Sequence, residues 1–169
     1  MTQSSPEKAS ARLTHVDEAG AARMVDVSGK DVTIRTARAA GRVVVSPEVV
    51  ALLRGPGVAK GDALGVARIA GIQGAKRTAE LIPLCHPIAL HGVEVTLDVS
   101  DDAVEIEASV RTADRTGVEM EALTAVATAA LTIVDMVKAV DRGAVVTDIR
   151  LIEKTGGRSG VFRREEGSR

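Results

Sequence analysis

The chain has 169 residues, an apolar content of 45% and a formal net charge of −1 at pH 7. Its length fits one domain with a core of its own, and its near-zero charge gives no general attraction to nucleic acid or to a membrane. Phe162 is the only residue of the types Phe, Tyr and Trp. Base stacking is therefore excluded as a main binding mode, and we expect no nucleic-acid partner.

The first residues and the cysteine content indicate a cellular setting. Residues 1–12 are polar and lack the apolar centre of a signal peptide, so they are predicted to form a disordered tail. Cys85 is the only cysteine and cannot form an internal disulfide, which fits a reducing compartment. No segment is expected to target the chain to a membrane, and we predict a cytoplasmic protein.

The first half of the chain predicts a strand followed by two helices. Residues 32–46 are rich in Val, Ile and Thr and predict the strand. Ser46 followed by Pro47 is a typical start of a short helix. Residues 62–81 then predict a longer helix whose apolar residues, Ile69 among them, face the core.

The second half predicts a hairpin, an apolar helix and a last strand. Apolar and polar residues alternate over 93–99 and 104–110, which predicts two antiparallel strands with one wet face. After the helix, residues 145–152 predict the last strand. This order is that of an α+β, ferredoxin-like (split βαβ) fold, an antiparallel sheet with helices on one face. We expect a single domain over residues 13–162 and a flexible C-terminal tail over 163–169.

The predicted apolar helix has charged residues only at its two ends. Residues 122–134 carry no charge, so the helix should be buried on every face, yet it is shorter than the roughly 20 residues of a membrane span. Glu119 and Glu121 precede this stretch and differ by about 200° on a helix, so we expect one of them in the entering turn. Asp135 and Lys138 follow it. The two ends lie about 24 Å apart, and one small ligand cannot touch both ends of the same helix.

The segment Leu84-Cys85-His86 lies between two prolines and allows three interpretations. One is a rigid buried connection in which the histidine is hydrogen-bonded, the most common role of such a residue. Another is metal binding by Cys85, His86 and His91, although the paired spacings of a zinc site are absent. The third is a nucleophilic Cys85, which would need a nearby base that lowers its pKa.

Several cations are candidates for binding an anion. Lys60 stands at a helix entrance, where a positive charge opposes the helix dipole; this conflict indicates a function, although a solvated lysine is the more common explanation. Lys76, Lys154 and Arg158 can each meet phosphate or remain solvated. Residues 154–160 have the composition of an anion-binding nest but not the spacing of a Walker A loop.

Eight segments have an order and composition typical of one enzyme family. They are Leu13-Thr14-His15, residues 24–28, Lys60-Gly61-Asp62, Ala70-Gly71-Ile72, residues 81–87, residues 116–123, residues 135–140 and residues 154–160. Through these segments the chain resembles, from about Leu13 to Phe162, the cyclic pyranopterin monophosphate synthase family of molybdenum-cofactor biosynthesis. Several segments are long and keep a strict order, so the resemblance is specific.

The resemblance implies a catalytic domain with the activity of a lyase. The reaction converts 3′,8-cyclo-7,8-dihydro-GTP into cyclic pyranopterin monophosphate and releases pyrophosphate. The family implies subunits paired as dimers in a homohexamer, a trimer of dimers, with no metal and no organic cofactor. Asp135 takes the position of the catalytic acid, with Lys60 and Lys138 as cationic and proton-transfer partners. The implied substrate-binding residues are Leu84, Cys85, His86, Met120, Glu121, Glu119, Asp26, Arg35, Lys76 and Lys154. Of these, Arg35, Lys76 and Lys154 would bind the phosphates.

The two ends of the apolar helix can meet if such helices run antiparallel across a two-fold axis. The active site would then be shared between subunits.

Two other functions stay open on the residues alone. One is a non-catalytic nucleotide-sensing module on a ferredoxin-like scaffold, since a fold by itself fixes no function. The other is a metal-dependent hydrolase that uses Cys85, His86 and His91.

Overall fold

The computed structural model describes residues 14–17, 19–55 and 62–165. The elements in chain order are β1 (Thr33–Val44), α1 (Pro47–Arg54), α2 (Ala63–Lys76), α3 (Thr78–Leu81), β2 (Gly92–Val99), β3 (Ala103–Asp114), α4 (Glu119–Val137), β4 (Val145–Thr155) and β5 (Phe162–Arg163). The strands form one sheet in the order β2-β3-β1-β4-β5, and every neighbouring pair is antiparallel. The predicted α+β, ferredoxin-like fold is confirmed.

The sheet has one buried face and one solvated face. On β1 the residues Ala37, Ala39, Gly41 and Val43 are buried, while the residues that alternate with them are more exposed. The solvated face carries cross-strand ion pairs, such as Arg42 with Glu105 at 3.2 Å. This alternation is what an antiparallel sheet with helices on one side requires.

Helices α2 and α4 pack closely against each other over the buried face. A Cβ added to Gly71 of α2 would lie 3.0 Å from the carbonyl oxygen of Ala125 and 3.3 Å from Cβ of Ala129 on α4. Small residues therefore bring the two helix backbones together. With so few aromatic side chains available, the core is filled by aliphatic residues at short distances instead.

Helix α4 is the central helix of the core. Among the described residues it is the one helix long and apolar enough to span a membrane, by length and composition alone. Its packing on β1, β3, β4 and α2 is that of a core helix, and Ala122, Val126 and Ile133 are fully buried. The predicted place of this helix in the core is therefore confirmed, whereas burial on every face is not, since Leu131 is 64% exposed.

The long helix predicted over residues 62–81 is interrupted. Arg77 leaves the helical conformation and separates α2 from α3. The N–H of Arg77 donates to the carbonyl oxygen of Gly74, three residues earlier, at 3.0 Å, so the last turn of α2 tightens where the helix ends. The predicted core position of Ile69 is also wrong, since its side chain is 60% exposed.

The sheet ends in a short edge strand that was not predicted. Strand β5 pairs with β4 through Phe162 and Arg163, so it straddles the predicted boundary between the domain and the C-terminal tail. Arg164 then donates hydrogen bonds from its backbone N–H to Ile152 and from Nε to Leu151.

Candidate functional site

A cleft of about 390 Å³ opens at the N-terminal end of α4. We call it the α4 cleft. Three separate parts of the chain form it: the segment before β1, the connection between α3 and β2, and the entry to α4. The lining residues are Thr14, His15, Val25, Val27, Lys30, Leu84, Cys85, His86, Thr116, Gly117, Glu119, Met120 and Glu121. The fold thus brings together six of the predicted substrate-binding residues, Leu84 to His86 and Glu119 to Glu121.

The connection that carries Leu84, Cys85 and His86 is held in place by hydrogen bonds. The N–H of Cys85 donates to the carbonyl oxygen of Ile82 at 3.0 Å. Nε2 of His86 donates to the carbonyl oxygen of Val25 at 2.7 Å. Because a carbonyl can only accept, this bond places a proton on Nε2 and fixes the orientation of the ring. The histidine is therefore both hydrogen-bonded and part of the cleft wall.

Glu119 and Glu121 both belong to α4, whereas one of them was expected in the entering turn. Helix α4 begins at Glu119. A Cβ at Gly117 would collide with the carboxylate of Glu119. The carboxylate can therefore occupy this position because residue 117 is a glycine. Glu121 points into the protein and is only 4% exposed. The two carboxyl groups therefore line one cleft from different depths.

The charge of Glu121 is disfavoured by its surroundings. Burial raises the pKa of Glu121 to about 7; a hydrogen bond from its own backbone N–H offsets part of the rise, and the charge of Glu119 adds to it. Near pH 7 this carboxyl group can therefore be present with or without its proton. A group with that property is suited to bind a donor or to exchange a proton.

Cys85 lacks the properties of a nucleophile. Burial raises the pKa of its thiol, and the negative charge of Glu121 raises it further, whereas an attacking thiolate needs a lowered pKa.

The metal interpretation also gains no support. His91 does not line the α4 cleft. Its Nδ1 accepts a hydrogen bond from the N–H of Ala113 at 3.3 Å. Within the described part of the chain, no group of three His, Cys, Asp or Glu residues could hold a metal ion.

A second cleft, of about 370 Å³, adjoins the first at Lys30. We call it the β1 cleft; its lining residues are Lys30, Asp31, Thr33, Arg35, Gly157, Arg158 and Ser159. Gly156 and Gly157 have positive φ angles of 87° and 71°, the left-handed conformation that glycine adopts without strain. Any side chain at Gly157 would collide with the guanidinium of Arg35. Two arginines and a lysine thus converge on one concave surface.

The two remaining predicted phosphate ligands lie close to these clefts. Nζ of Lys154 donates a hydrogen bond to Oγ of Ser159, a residue of the β1 cleft. Lys76 lines a third cleft of about 300 Å³, which shares His86 and Glu121 with the α4 cleft. Of the predicted phosphate ligands, Arg35 lines the β1 cleft, Lys154 contacts it, and Lys76 lies on the other side of the His86 and Glu121 wall.

The remaining predicted residues lie outside this cluster of clefts. Asp135 and Lys138 form an exposed ion pair with 2.6 Å between Oδ1 and Nζ, at the other end of α4 and about 21 Å from Glu121 along the helix. Asp26 is exposed, and a hydrogen bond from the N–H of Ser28 lowers its pKa. Lys60 lies outside the described residues, and its predicted role stays a prediction.

Lys30 and His15 are the cleft residues whose individual roles the sequence analysis missed. Lys30 follows the residue 24–28 segment by two positions, and it lines both the α4 cleft and the β1 cleft. A lone lysine in a loop has no periodic pattern that would single it out. The sequence feature that could have indicated Lys30 is its position, two residues after the segment 24–28 and three residues before β1.

Comparison with known proteins places the chain in a family. The model of the MoaC family matches residues 24–157. "Cyclic pyranopterin monophosphate synthase" of Streptomyces avermitilis is 74% identical over 153 residues, which cover 90% of each chain. The protein of that name from Nocardioides sp. is 71% identical over 156 residues, 90% of this chain and 96% of the relative. "Cyclic pyranopterin monophosphate synthase 3" of Mycobacterium tuberculosis is 59% identical over 155 residues, 91% of this chain and 88% of the relative. The chain belongs to the MoaC family.

Proposed function

We propose that this protein is a cyclic pyranopterin monophosphate synthase of molybdenum-cofactor biosynthesis. It acts as a lyase that converts 3′,8-cyclo-7,8-dihydro-GTP into cyclic pyranopterin monophosphate and releases pyrophosphate. The name of its relatives supports this role. The observation that carries it is the junction at Lys30, where a cleft lined by carboxyl groups meets a cleft lined by arginines. A ligand with a purine at one end and phosphates at the other fits such a pair.

The α4 cleft is suited to the guanine part of the substrate. The Watson–Crick edge of guanine presents two N–H donors, and an ionised carboxylate accepts both. Glu121 supplies that carboxylate within a buried site, where an N–H partner stabilises its charge. Leu84, Met120 and the ring of His86 supply the surrounding wall.

The β1 cleft is suited to the triphosphate. Arg35, Arg158 and Lys30 line it, and Lys154 hydrogen-bonds to Ser159 beside it. Negative charge grows on the leaving pyrophosphate as its bond to the substrate breaks, and fixed cations stabilise that charge. Lys76 lines a separate cleft that shares His86 and Glu121 with the α4 cleft, and it is proposed to contact a phosphate from there.

Asp135, Lys138 and Lys60 are proposed to move protons during the rearrangement of the ring. In the ion pair of Asp135 with Lys138, a carboxylate that can accept a proton lies 2.6 Å from an ammonium group that can donate one. General acid and base groups that are coupled in this way suit a reaction in which a purine becomes a pterin. Asp26 and Glu119 are proposed to shape the base end of the site.

The two halves of the site are proposed to come from different subunits. Glu121 and Asp135 are about 21 Å apart on one helix, a span too long for one small substrate. Apolar side chains on the outer surfaces of α2 and α4 support a partner copy, since Val66, Ile69 and Leu131 are 47%, 60% and 64% exposed. Antiparallel pairing across a two-fold axis would bring the opposite helix ends together. We propose that such dimers assemble into a homohexamer in the cytoplasm, with residues 13–162 as the catalytic domain.

The function is tested by turnover of the cyclised GTP substrate by pure protein. We expect cyclic pyranopterin monophosphate and pyrophosphate in equal amounts, with or without a metal chelator. Asp135→Asn should abolish turnover and leave the melting temperature nearly unchanged, because exposed ion pairs contribute little to stability. Asp101→Asn is the matched control, since Asp101 forms a surface ion pair with Arg54 far from the clefts.

Three results would contradict this proposal. Substrate binding without turnover by the wild type would favour a sensing module. Loss of turnover on chelation would favour a metal-dependent enzyme. Full activity of Asp135→Asn would show that the catalytic role of Asp135 is wrong.

A further inference from the structure

Two arginine side chains connect residues 30–35, which lead into and begin β1, to residues 114 and 115 at the end of β3. Nε of Arg115 donates a hydrogen bond to the carbonyl oxygen of Lys30 at 3.0 Å. Nε of Arg35 donates to the carbonyl oxygen of Asp114 at 2.8 Å. Asp114 and Arg115 are adjacent in the chain, so the two bonds run in opposite directions between the same two segments. Together they form a reciprocal arginine clamp.

The clamp joins the parts of the chain that form the two clefts. Lys30 lines both the α4 cleft and the β1 cleft. Thr116 and Gly117, which follow Arg115 directly, line the α4 cleft and lead into Glu119. A change in the clamp would therefore shift Lys30 relative to the carboxyl groups of α4.

Lys30 depends on this clamp because it lies outside the sheet. Its N–H donates to the carbonyl oxygen of Val27 at 3.0 Å, which closes a turn before β1 begins at Thr33. Arg115 supplies the bond to its carbonyl group. A hydrogen bond from a charged donor is stronger than one between neutral groups, so this bond is well suited to fix a loop residue.

We propose that Arg115 is a positioning residue that holds Lys30 at the junction of the base and phosphate sites. Arg115 is absent from the described residues that line the two clefts, and it acts through the backbone of Lys30. With Lys30 in place, its ammonium group faces the part of the ligand that links purine to phosphates. The proposal rests on the proposed function, and it adds a residue that contacts no substrate.

The experiment measures steady-state kinetics of Arg115→Met with the cyclised GTP substrate. Methionine keeps an unbranched stem but cannot donate. We expect KM to rise about tenfold, which corresponds to about 1.4 kcal/mol, while kcat changes little, because Lys30 is proposed to bind substrate rather than to move a proton. Arg115→Lys keeps the charge and should raise KM by a smaller factor. Arg164→Met is the matched control, since Nε of Arg164 donates a similar bond to the carbonyl oxygen of Leu151 at 2.9 Å; its KM should equal that of the wild type.

A double-mutant cycle separates positioning from a general structural effect. Lys30→Met removes the ammonium group but keeps the backbone carbonyl that Arg115 binds. If Arg115 acts through Lys30, then adding Arg115→Met to Lys30→Met should raise KM no further. Additive effects of the two changes, or an unchanged KM in Arg115→Met, would overturn the proposal. If Arg115→Met does not fold, the same cycle is run with Arg115→Lys. An inactive wild type would contradict the proposed function instead, so the two failures are distinguishable.

Discussion

Glu121 is an ionisable side chain held inside the apolar helix of the core. It is 4% exposed, and burial raises its pKa to about 7. A structural core would be more stable with an apolar residue at this position. The carboxyl group therefore lowers the stability of the fold. The proposed contact with guanine explains why a carboxyl group is present at this position.

The raised pKa of Glu121 predicts how stability depends on pH. The folded state holds its proton up to about pH 7, whereas the unfolded chain releases it near the ordinary glutamate value of about 4.3. The stability that the protonated group contributes is therefore complete below the unfolded pKa and is lost as the pH rises through about 7. Glu121→Gln should remove this loss and be more stable than the wild type at pH 8 by about 1–3 kcal/mol.

Urea unfolding at pH 4.5 and pH 8, at one fixed protein concentration, checks this prediction. Glu48→Gln is the matched control, because Glu48 also lies in the first turn of a helix but is exposed. An equal loss of stability between the two pH values in the wild type and in Glu121→Gln would contradict the raised pKa.

The roles of individual residues were the hardest features to predict from the sequence. The sequence analysis could assign Glu121 to a substrate site through its resemblance to a family, but its burial depends on how α4 meets residues 84–86 in the fold. Lys30 was missed for the same reason, since its role depends on two clefts that only the folded chain forms. Nothing in the pattern around Arg115 indicates that it bonds to a residue 85 positions away.

At the scale of elements, the close approach of α2 and α4 gives a prediction about packing. A Cβ at Gly71 would lie 3.0 Å from a backbone oxygen of α4, and a helix backbone cannot easily move away. Gly71→Ala should therefore destabilise the protein by about 1–3 kcal/mol, even though alanine has the higher helix propensity. Urea unfolding measures the change.

Gly92→Ala provides the control for this packing effect. Its nearest neighbour, Cβ of Arg111, would be 3.9 Å from the added Cβ, which is an ordinary contact. This substitution should be neutral or slightly stabilising. If Gly71→Ala were as stable as Gly92→Ala, the close approach of α2 and α4 at Gly71 would be contradicted.

The elements with a strong period were predicted well, and the elements defined by local contacts were not. The hairpin predicted over 93–99 and 104–110 is formed by β2 and β3, because alternation over many residues fixes both the strand and its buried face. The break at Arg77 is a local change of the backbone, whose N–H bonds to the carbonyl oxygen of Gly74 three residues earlier, and the apolar period does not show it. Strand β5 has two residues, too few for any period to be visible.

At the scale of the whole molecule, the distance between the two ends of α4 is the reason for proposing a shared site. One end carries the clefts, and the other carries the ion pair of Asp135 with Lys138. The order of elements was enough to predict the fold, since a split βαβ pattern has few alternative topologies. The proposed partner copy, which the family resemblance implies, is supported by this distance and by apolar residues left exposed, such as Ile69 and Leu131.

The most direct test of the shared site is complementation between two inactive variants. Glu121→Ala and Lys138→Ala should each be inactive alone, and the two are then unfolded, mixed in equal amounts and refolded together. Under two-fold pairing a mixed dimer has both lesions in one site and none in the other. Random pairing makes about half the dimers mixed, so about a quarter of wild-type turnover should return. No recovery of turnover, with exchange of subunits confirmed by mass spectrometry, would mean that both residues serve the site of a single chain and would contradict the shared site.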